Sequence, residues 1–217
     1  MENLTITVRG ENVEVSAAEL KNYREKGLTQ FQKYLDLMSL SSEIKNFAKF
    51  MLEKAPDYFF IIPASVSGKW HAPWSTDKGG LVRHVLMGCQ VAYDLSRTFG
   101  LNDKETDMAL AAMIGHDIIK YGLDFDDRYM DMHPFMPRSY YGNYKSPGYV
   151  GDYSKTPEFD TIMTAIERHM GNIISGEWTS VGGVRPETPL QYVVHLADYI
   201  ASRKNLVHTD FISGYQY

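Results

Sequence analysis

An all-α bundle carrying a small β-hairpin at its N-terminus is the fold class this sequence predicts. Three observations predict it. Apolar residues recur at helical spacing in one segment after another; alternation of apolar and polar residues is confined to LTITVRGENVEV (4–15); and Gly, Pro and short polar runs stand where the helical patterns stop.

Leu4, Ile6 and Val8, then Val13 and Val15, alternate with polar residues on either side of Arg9-Gly10-Glu11-Asn12, the pattern of a two-stranded hairpin. Ser16 reads as an N-cap, with Glu19 three residues on completing a capping box, and predicts a short helix toward Gly27. Further helical patterns cover 28–38 and 42–54, the second stopping before Pro56. Pro63, Gly68, Pro73 and Gly79-Gly80 make 56–80 a loop. SGKW (67–70) inside it is not a phosphate-binding P-loop, because the first glycine of that motif is missing and Trp70 takes the Ser/Thr position. A long helix is predicted over 81–99, ending at Gly100, with Arg83, Gln90, Asp94 and Arg97 along one polar side. A second covers 105–120, and 122–157 is irregular. Helices over 158–170 and 189–204 follow, the last with Thr188 as N-cap and Pro189 at its first helical position. The organisation is a hairpin-plus-helix extension over 1–56 and a helical domain over 57–217, without internal repeats.

With 44% hydrophobic and 23% charged residues in 217, the chain has the make-up of a soluble globular protein of one domain or little more. No stretch approaches the ~18 apolar residues of a membrane span, and the N-terminus has no signal-peptide pattern. The single cysteine, Cys89, excludes an internal disulfide and a thiolate zinc site; its apolar surroundings predict a buried thiol, and a cytoplasmic location is expected. A formal net charge of −5 argues against a partner of long nucleic acid but leaves small nucleotides and strand ends open.

The run Met108 to Ile114 is wholly apolar, yet His116-Asp117 follows it directly. Burying such a pair costs roughly several kcal/mol unless something binds it. His84 lies on the apolar line of Leu81, Gly88, Val91 and Leu95; His169 follows Phe159, Ile162 and Ile166; Asp198 falls between Val194 and Ala201. Singly, a core histidine is met by a backbone carbonyl and a core aspartate by a cap or an arginine. As a set, imidazoles and carboxylates converging in a helical bundle without cysteine make a nitrogen/oxygen site for Mn²⁺, Fe²⁺, Co²⁺, Ni²⁺ or Zn²⁺, with Mg²⁺ a further candidate.

His84, His116-Asp117, His169 and Asp198, in that order, resemble the HD superfamily of metal-dependent phosphohydrolases, whose ligands run H…HD…D. GGLVRHV (79–85) is similar to the family's GGL-x-x-H entry, and HDIIK (116–120) to its HD-I-G-K, with Ile119 in place of glycine. ERHMG (167–171) and EWTSVGGVRPETPLQYVVHLADYIASR (177–203) resemble the branch that holds YhaM-type 3′-to-5′ exoribonucleases and related bacterial and phage HD proteins. The YhaM type carries an OB domain ahead of its HD domain; the first 60 or so residues here are too short and too helical for one.

The resemblance implies an HD-domain helical bundle with His84, His116, Asp117, His169 and Asp198 as metal ligands. Members with two metals place another histidine between the HD pair and the next ligand, and His133 in MHPFM (132–136) resembles it; otherwise His133 is an exposed loop residue. One or two ions are thus expected, with Asp117 bridging a pair. A metal-activated water would attack phosphorus, with Asp117 as ligand and partner for the water proton. Lys120 is placed to meet a phosphate oxygen, or is a solvated lysine at a helix C-terminus. Lys69, Arg185 and Arg203 are further phosphate-binding candidates, and His71 is placed to face the pocket. His195 either orients a ligand or simply packs. In RSYYGNYKSPGYVGDY (138–153), Tyr140, Tyr141 and Tyr144 are candidates to stack on a base as a lid; the alternative is a tyrosine-rich surface loop or subunit contact. The expected function is hydrolysis of a phosphoester in a nucleotide or short oligonucleotide. The alternatives are a 3′-to-5′ exoribonuclease and a non-catalytic nucleotide-binding protein. A nucleotide or short single strand is the expected partner, with homo-oligomerisation open.

Overall fold

The structure is a computed structural model and describes residues 3–38, 42–68, 71–145, 152–174, 177–179 and 184–204. Strands β1 (Leu4–Val8) and β2 (Glu11–Val15) pair antiparallel with Leu4 opposite Val15 and Val8 opposite Glu11. Arg9 (φ 52°) and Gly10 (φ 84°) form the two-residue left-handed turn that matches strand twist. The predicted hairpin is therefore present.

Helix α1 (Ala17–Leu37) starts on Ser16, whose hydroxyl accepts from the Glu19 amide. It runs straight through Gly27, where two shorter helices were expected. A Cβ at Gly27 would lie 2.7 Å from Phe60 Cδ1, so this glycine marks close packing rather than a helix end. Helix α2 (Ser42–Glu53) follows, then α3 (Gly80–Thr98), α4 (Asp103–Gly115), α5 (Met136–Tyr141), α6 (Pro157–Glu167) and α7 (Pro189–Ala201). Helix α7 begins at Thr188 with a reciprocal capping box through Gln191.

Helix α4 is the axis of the bundle, with α2, α3, α6 and α7 all packed on it. Its lack of a polar face explains this: every residue from Asp107 to Gly115 is buried. Phe47 and Met51 of α2, Met113 and Ile114 of α4, Ile162 and Ile166 of α6 and Val194 of α7 share one core, which residues on both sides of position 56 enter. Cys89 is buried within it as a free thiol.

Three local expectations are corrected. Helix α4 stops at Gly115 rather than 120, so the His-Asp pair lies in the turn beyond it. Arg83 is buried rather than on a polar side, its guanidinium donating to the carbonyls of Trp74 and Lys78 in the turns that cover α3. A second hairpin, β3 (Asn172–Ile174) with β4 (Glu177–Thr179), adds strand beyond the N-terminal pair. Among the described residues, no helix is long and apolar enough to cross a membrane.

Candidate metal centre

Five chain segments bring their ionisable side chains to one point inside this bundle. His84 comes from α3, His116 and Asp117 from the turn after α4, His133 from a short turn ahead of α5, His169 from just after α6, and Asp198 from α7. Gly115 lets the end of α4 sit deep: a Cβ there would meet Met51 Sδ at 2.8 Å and Ile166 Cδ1 at 3.1 Å. Beyond it the chain tightens into three-residue hydrogen bonds, Lys120 N to Asp117 O at 3.2 Å and Gly122 N to Ile119 O at 2.9 Å. Tyr58 pins that turn, its hydroxyl donating to Gly122 O at 2.6 Å and accepting from Tyr121 N.

One local device orients three of the imidazoles. His116 Nδ1 donates to Met113 O (2.7 Å), His169 Nδ1 to Ile166 O (2.6 Å), and His133 Nδ1 to Met130 O, each a carbonyl three residues back. With the proton fixed on Nδ1, each Nε2 turns inward as a lone pair, the arrangement that metal-binding histidines use. His195 adds a support, its Nδ1 donating to the backbone carbonyl of His169 at 2.8 Å. Arg138 of α5 pairs with Glu167 and Asp160 of α6 and so ties the segment after His133 to the helix before His169.

Asp117 stands at the middle. Its Oδ1 lies 2.9 Å from His133 Nε2 and 4.0 Å from His169 Nε2; its Oδ2 lies 2.7 Å from Lys120 Nζ, 3.7 Å from His116 Nε2 and 4.0 Å from His84 Nε2. Asp198 Oδ1 reaches His84 Nε2 at 3.0 Å and His116 Nε2 at 3.5 Å. The donors form two groups, His84, His116 and Asp117 on one side and Asp117, His133 and His169 on the other, and either could hold a metal ion. Asp198 lies beside the first, its Oδ1 within 3.5 Å of both imidazoles.

Two details test whether a cation fits. His133 Nε2 and His169 Nε2 face each other at 3.3 Å, although both rings spend their Nδ1 proton on a carbonyl. Two lone pairs at that distance repel unless a positive charge lies between or beside them. His116 Nε2 is buried without a hydrogen-bond partner. A divalent cation satisfies all of these atoms together, so the donor set fits one.

The electrostatics agree. Burial works against the charge on Asp117, but Lys120, His116 and His133 outweigh it and hold the carboxyl well below its usual range. Asp198 is likewise held low, its burial offset by His116 and His84. Burial, then the His116 ring, pulls His169 down to about 3, so the imidazole is neutral, the form in which it could serve a metal. Burial disfavours charge on His116 too, but the carboxylates of Asp117 and Asp198 raise its pKa overall.

The cluster opens into a cavity of about 780 Å³. Lys120, Arg203 and His71 line it. Helix-derived periodicity did not reveal Tyr121, Phe125, Asp127, Met130 and Asp131, which also line it, or Thr7, which comes from the hairpin. Phe125 holds a left-handed backbone (φ 55°), unfavourable for a bulky residue, and stacks on Tyr58 at 4.9 Å.

The other candidates lie elsewhere. Arg185 is exposed and bonded to the Tyr192 hydroxyl, outside the cavity lining. Tyr141 and Tyr144 are buried against Phe47 and Phe50, and Tyr140 packs on Tyr141 with its hydroxyl on Lys54 O. None of the three tyrosines lines the cavity; an aromatic core accounts for them instead of a lid. Lys69 lies outside the described residues. No protein-family model, curated protein or solved structure matches this chain.

Proposed function

We propose that the chain is a metal-dependent phosphohydrolase of the HD type that cleaves a phosphoester of a nucleotide or short oligonucleotide. The supporting observation is the convergence of four imidazoles, Asp117 and Asp198 beside an open cavity. His84, His116, Asp117 and Asp198 would hold one cation, and Asp117, His133 and His169 a second. Such a cation supplies an activated water and offsets charge on the phosphoryl oxygens.

The remaining chemistry belongs to the side chains. Lys120 is largely buried, and although burial opposes its charge, Asp117 raises its pKa, so it acts as a fixed cation. Its Nζ binds a phosphoryl oxygen while still touching Asp117 Oδ2. Arg203 adds a planar guanidinium at the cavity wall, held in place over the Tyr199 ring at 4.0 Å. Phe125, Tyr121 and Met130 offer an apolar wall to a nucleobase. Hydrolysis adds the oxygen of water to phosphorus, breaks the ester P–O bond and leaves a protonated alcohol.

Phosphate release and chain shortening test this, measured with Mn²⁺, Co²⁺, Ni²⁺ or Mg²⁺ on nucleoside mono- and triphosphates, cyclic nucleotides and a short RNA. Metal-dependent turnover that disappears in Asp117→Ala is the expected result. No turnover of any of these by metal-loaded protein would overturn the reading in favour of a nucleotide-binding protein.

A further inference from the structure

The metal cavity does not end at the cluster. A neighbouring cavity of about 620 Å³ shares Val66, Ser67 and His71 with it, and its lining adds the hairpin tip Arg9-Gly10 and Lys204. We propose that this second lobe binds the second phosphate of a substrate that carries two, so that the hairpin is part of the substrate site. The proposal rests on the phosphohydrolase reading and narrows its substrate class.

Charge distribution is the first support. Arg203 and Lys204 are consecutive, just past the helix that carries Asp198; Arg203 lines the metal cavity and Lys204 the second lobe. Arg203 donates to Ser202 Oγ and Tyr199 O, and neither it nor Lys204 pairs with a carboxylate among the described residues. Two uncompensated cations thus lead from one lobe into the other. Asp127 and Asp131, which repel phosphate, line the metal cavity but not the second lobe. A nucleotide with its reactive phosphate at the cluster would lay its base toward Phe125 and any further phosphate toward the hairpin.

The junction supplies the second support. His71 Nδ1 is buried with no hydrogen-bond partner, on a ring that packs edge-on to His84 at 5.4 Å and borders both lobes. In the tautomer that carries its proton on Nδ1, this nitrogen would donate to a phosphate oxygen lying between the two lobes. At the tip, Arg9 occupies a left-handed turn position where Asn, Asp or Gly is ordinarily found. Its side chain reaches Asp77 at 2.8 Å, but that pair is exposed and of little energetic weight, and an arginine retains further N–H donors for an anion.

Calorimetric titration of the full chain, with and without Mn²⁺, provides the test, using AMP, adenosine 3′,5′-bisphosphate and the dinucleotide pApA. The bisphosphate should bind about tenfold more tightly than AMP, from one added charge-assisted contact. Lys204→Ala should reduce that advantage to about twofold, Arg9→Ala should lower it in the same direction, and AMP affinity should not change. A still larger gain for pApA would assign the second phosphate to a strand, and equal gains would assign it to a bisphosphate; both support the lobe. Equal binding of AMP and bisphosphate, with AMP hydrolysed, overturns the lobe alone. If neither nucleotide binds and none is hydrolysed, the phosphohydrolase reading falls and the lobe with it.

Discussion

Asp117 has two oxygens with different company. Oδ1 faces His133 and His169, and Oδ2 faces Lys120, His116 and His84. Because Lys120 is placed as a phosphate-binding cation and not as a ligand, its removal should separate binding of metal from turnover. Lys120→Ala should keep its metal and lose about a hundredfold in kcat/KM, the scale of a preorganised charge at a reacting oxyanion; unchanged turnover would remove Lys120 from the site. His71 supplies a pH test. Burial, with His84 and Lys120 nearby, lowers its pKa to about 3, against about 6.5 unfolded. The unfolded chain therefore takes up a proton first as pH falls, so stability present above pH 6.5 is lost progressively toward pH 3. Denaturant unfolding of metal-stripped protein should show a shallower acid loss in His71→Asn than in wild type; identical slopes would contradict this. His84, His116-Asp117, His169 and Asp198 were legible as candidates because each interrupts an apolar helical line, whereas His133, in a stretch without such a line, was reached only through the resemblance. The packing of Tyr140, Tyr141 and Tyr144 was not legible, since the six-residue helix α5 that carries the first two is too short for its periodicity to tell a core tyrosine from an exposed one.

Helices and the turns at their ends deliver the clustered side chains, and glycines set how closely these elements approach. At Gly80, the first residue of α3, an added Cβ would lie 2.1 Å from the Ser75 carbonyl oxygen, a backbone atom with little room to yield. At Gly88, one turn past His84, it would meet the thioether end of Met113 at 2.6 Å. Gly80→Ala should therefore destabilise by about 1–3 kcal/mol or more. Gly88→Ala should be nearly neutral, the flexible methionine moving aside while alanine gains up to about 1 kcal/mol in helix propensity. Urea unfolding of the two variants checks the ranking, and the reverse order would contradict the packing described. Element by element, α2, α4, α6 and α7 were readable because each carries a long apolar period. Gly27 was misread because sequence does not distinguish a glycine that ends a helix from one that admits Phe60. Strands β3 and β4 are three residues each, too short for alternation to register.

At the scale of the whole molecule, a buried His/Asp cluster joins α3, the end of α4, the turn before α5, the end of α6 and α7, so a bound cation would staple the bundle. Metal binding to the native state alone adds about 2.7 kcal/mol at a hundred times Kd, so saturating Mn²⁺ should raise Tm by several degrees and a chelator should reverse it. A Tm indifferent to both would mean that no cation is held there. The net charge of −5 predicts a shallow salt dependence for binding to single-stranded RNA, in keeping with one or two phosphate contacts. A steep slope would show an extended strand interface instead. The most direct measurement is the metal content of the full-length protein after equilibration with Mn²⁺ and removal of free ion, wild type beside Asp117→Ala. One or two ions per wild-type chain, and few or none in the variant, is the predicted result. Equal occupancy in the two, or none in wild type, would contradict the assignment of this cluster as a metal centre.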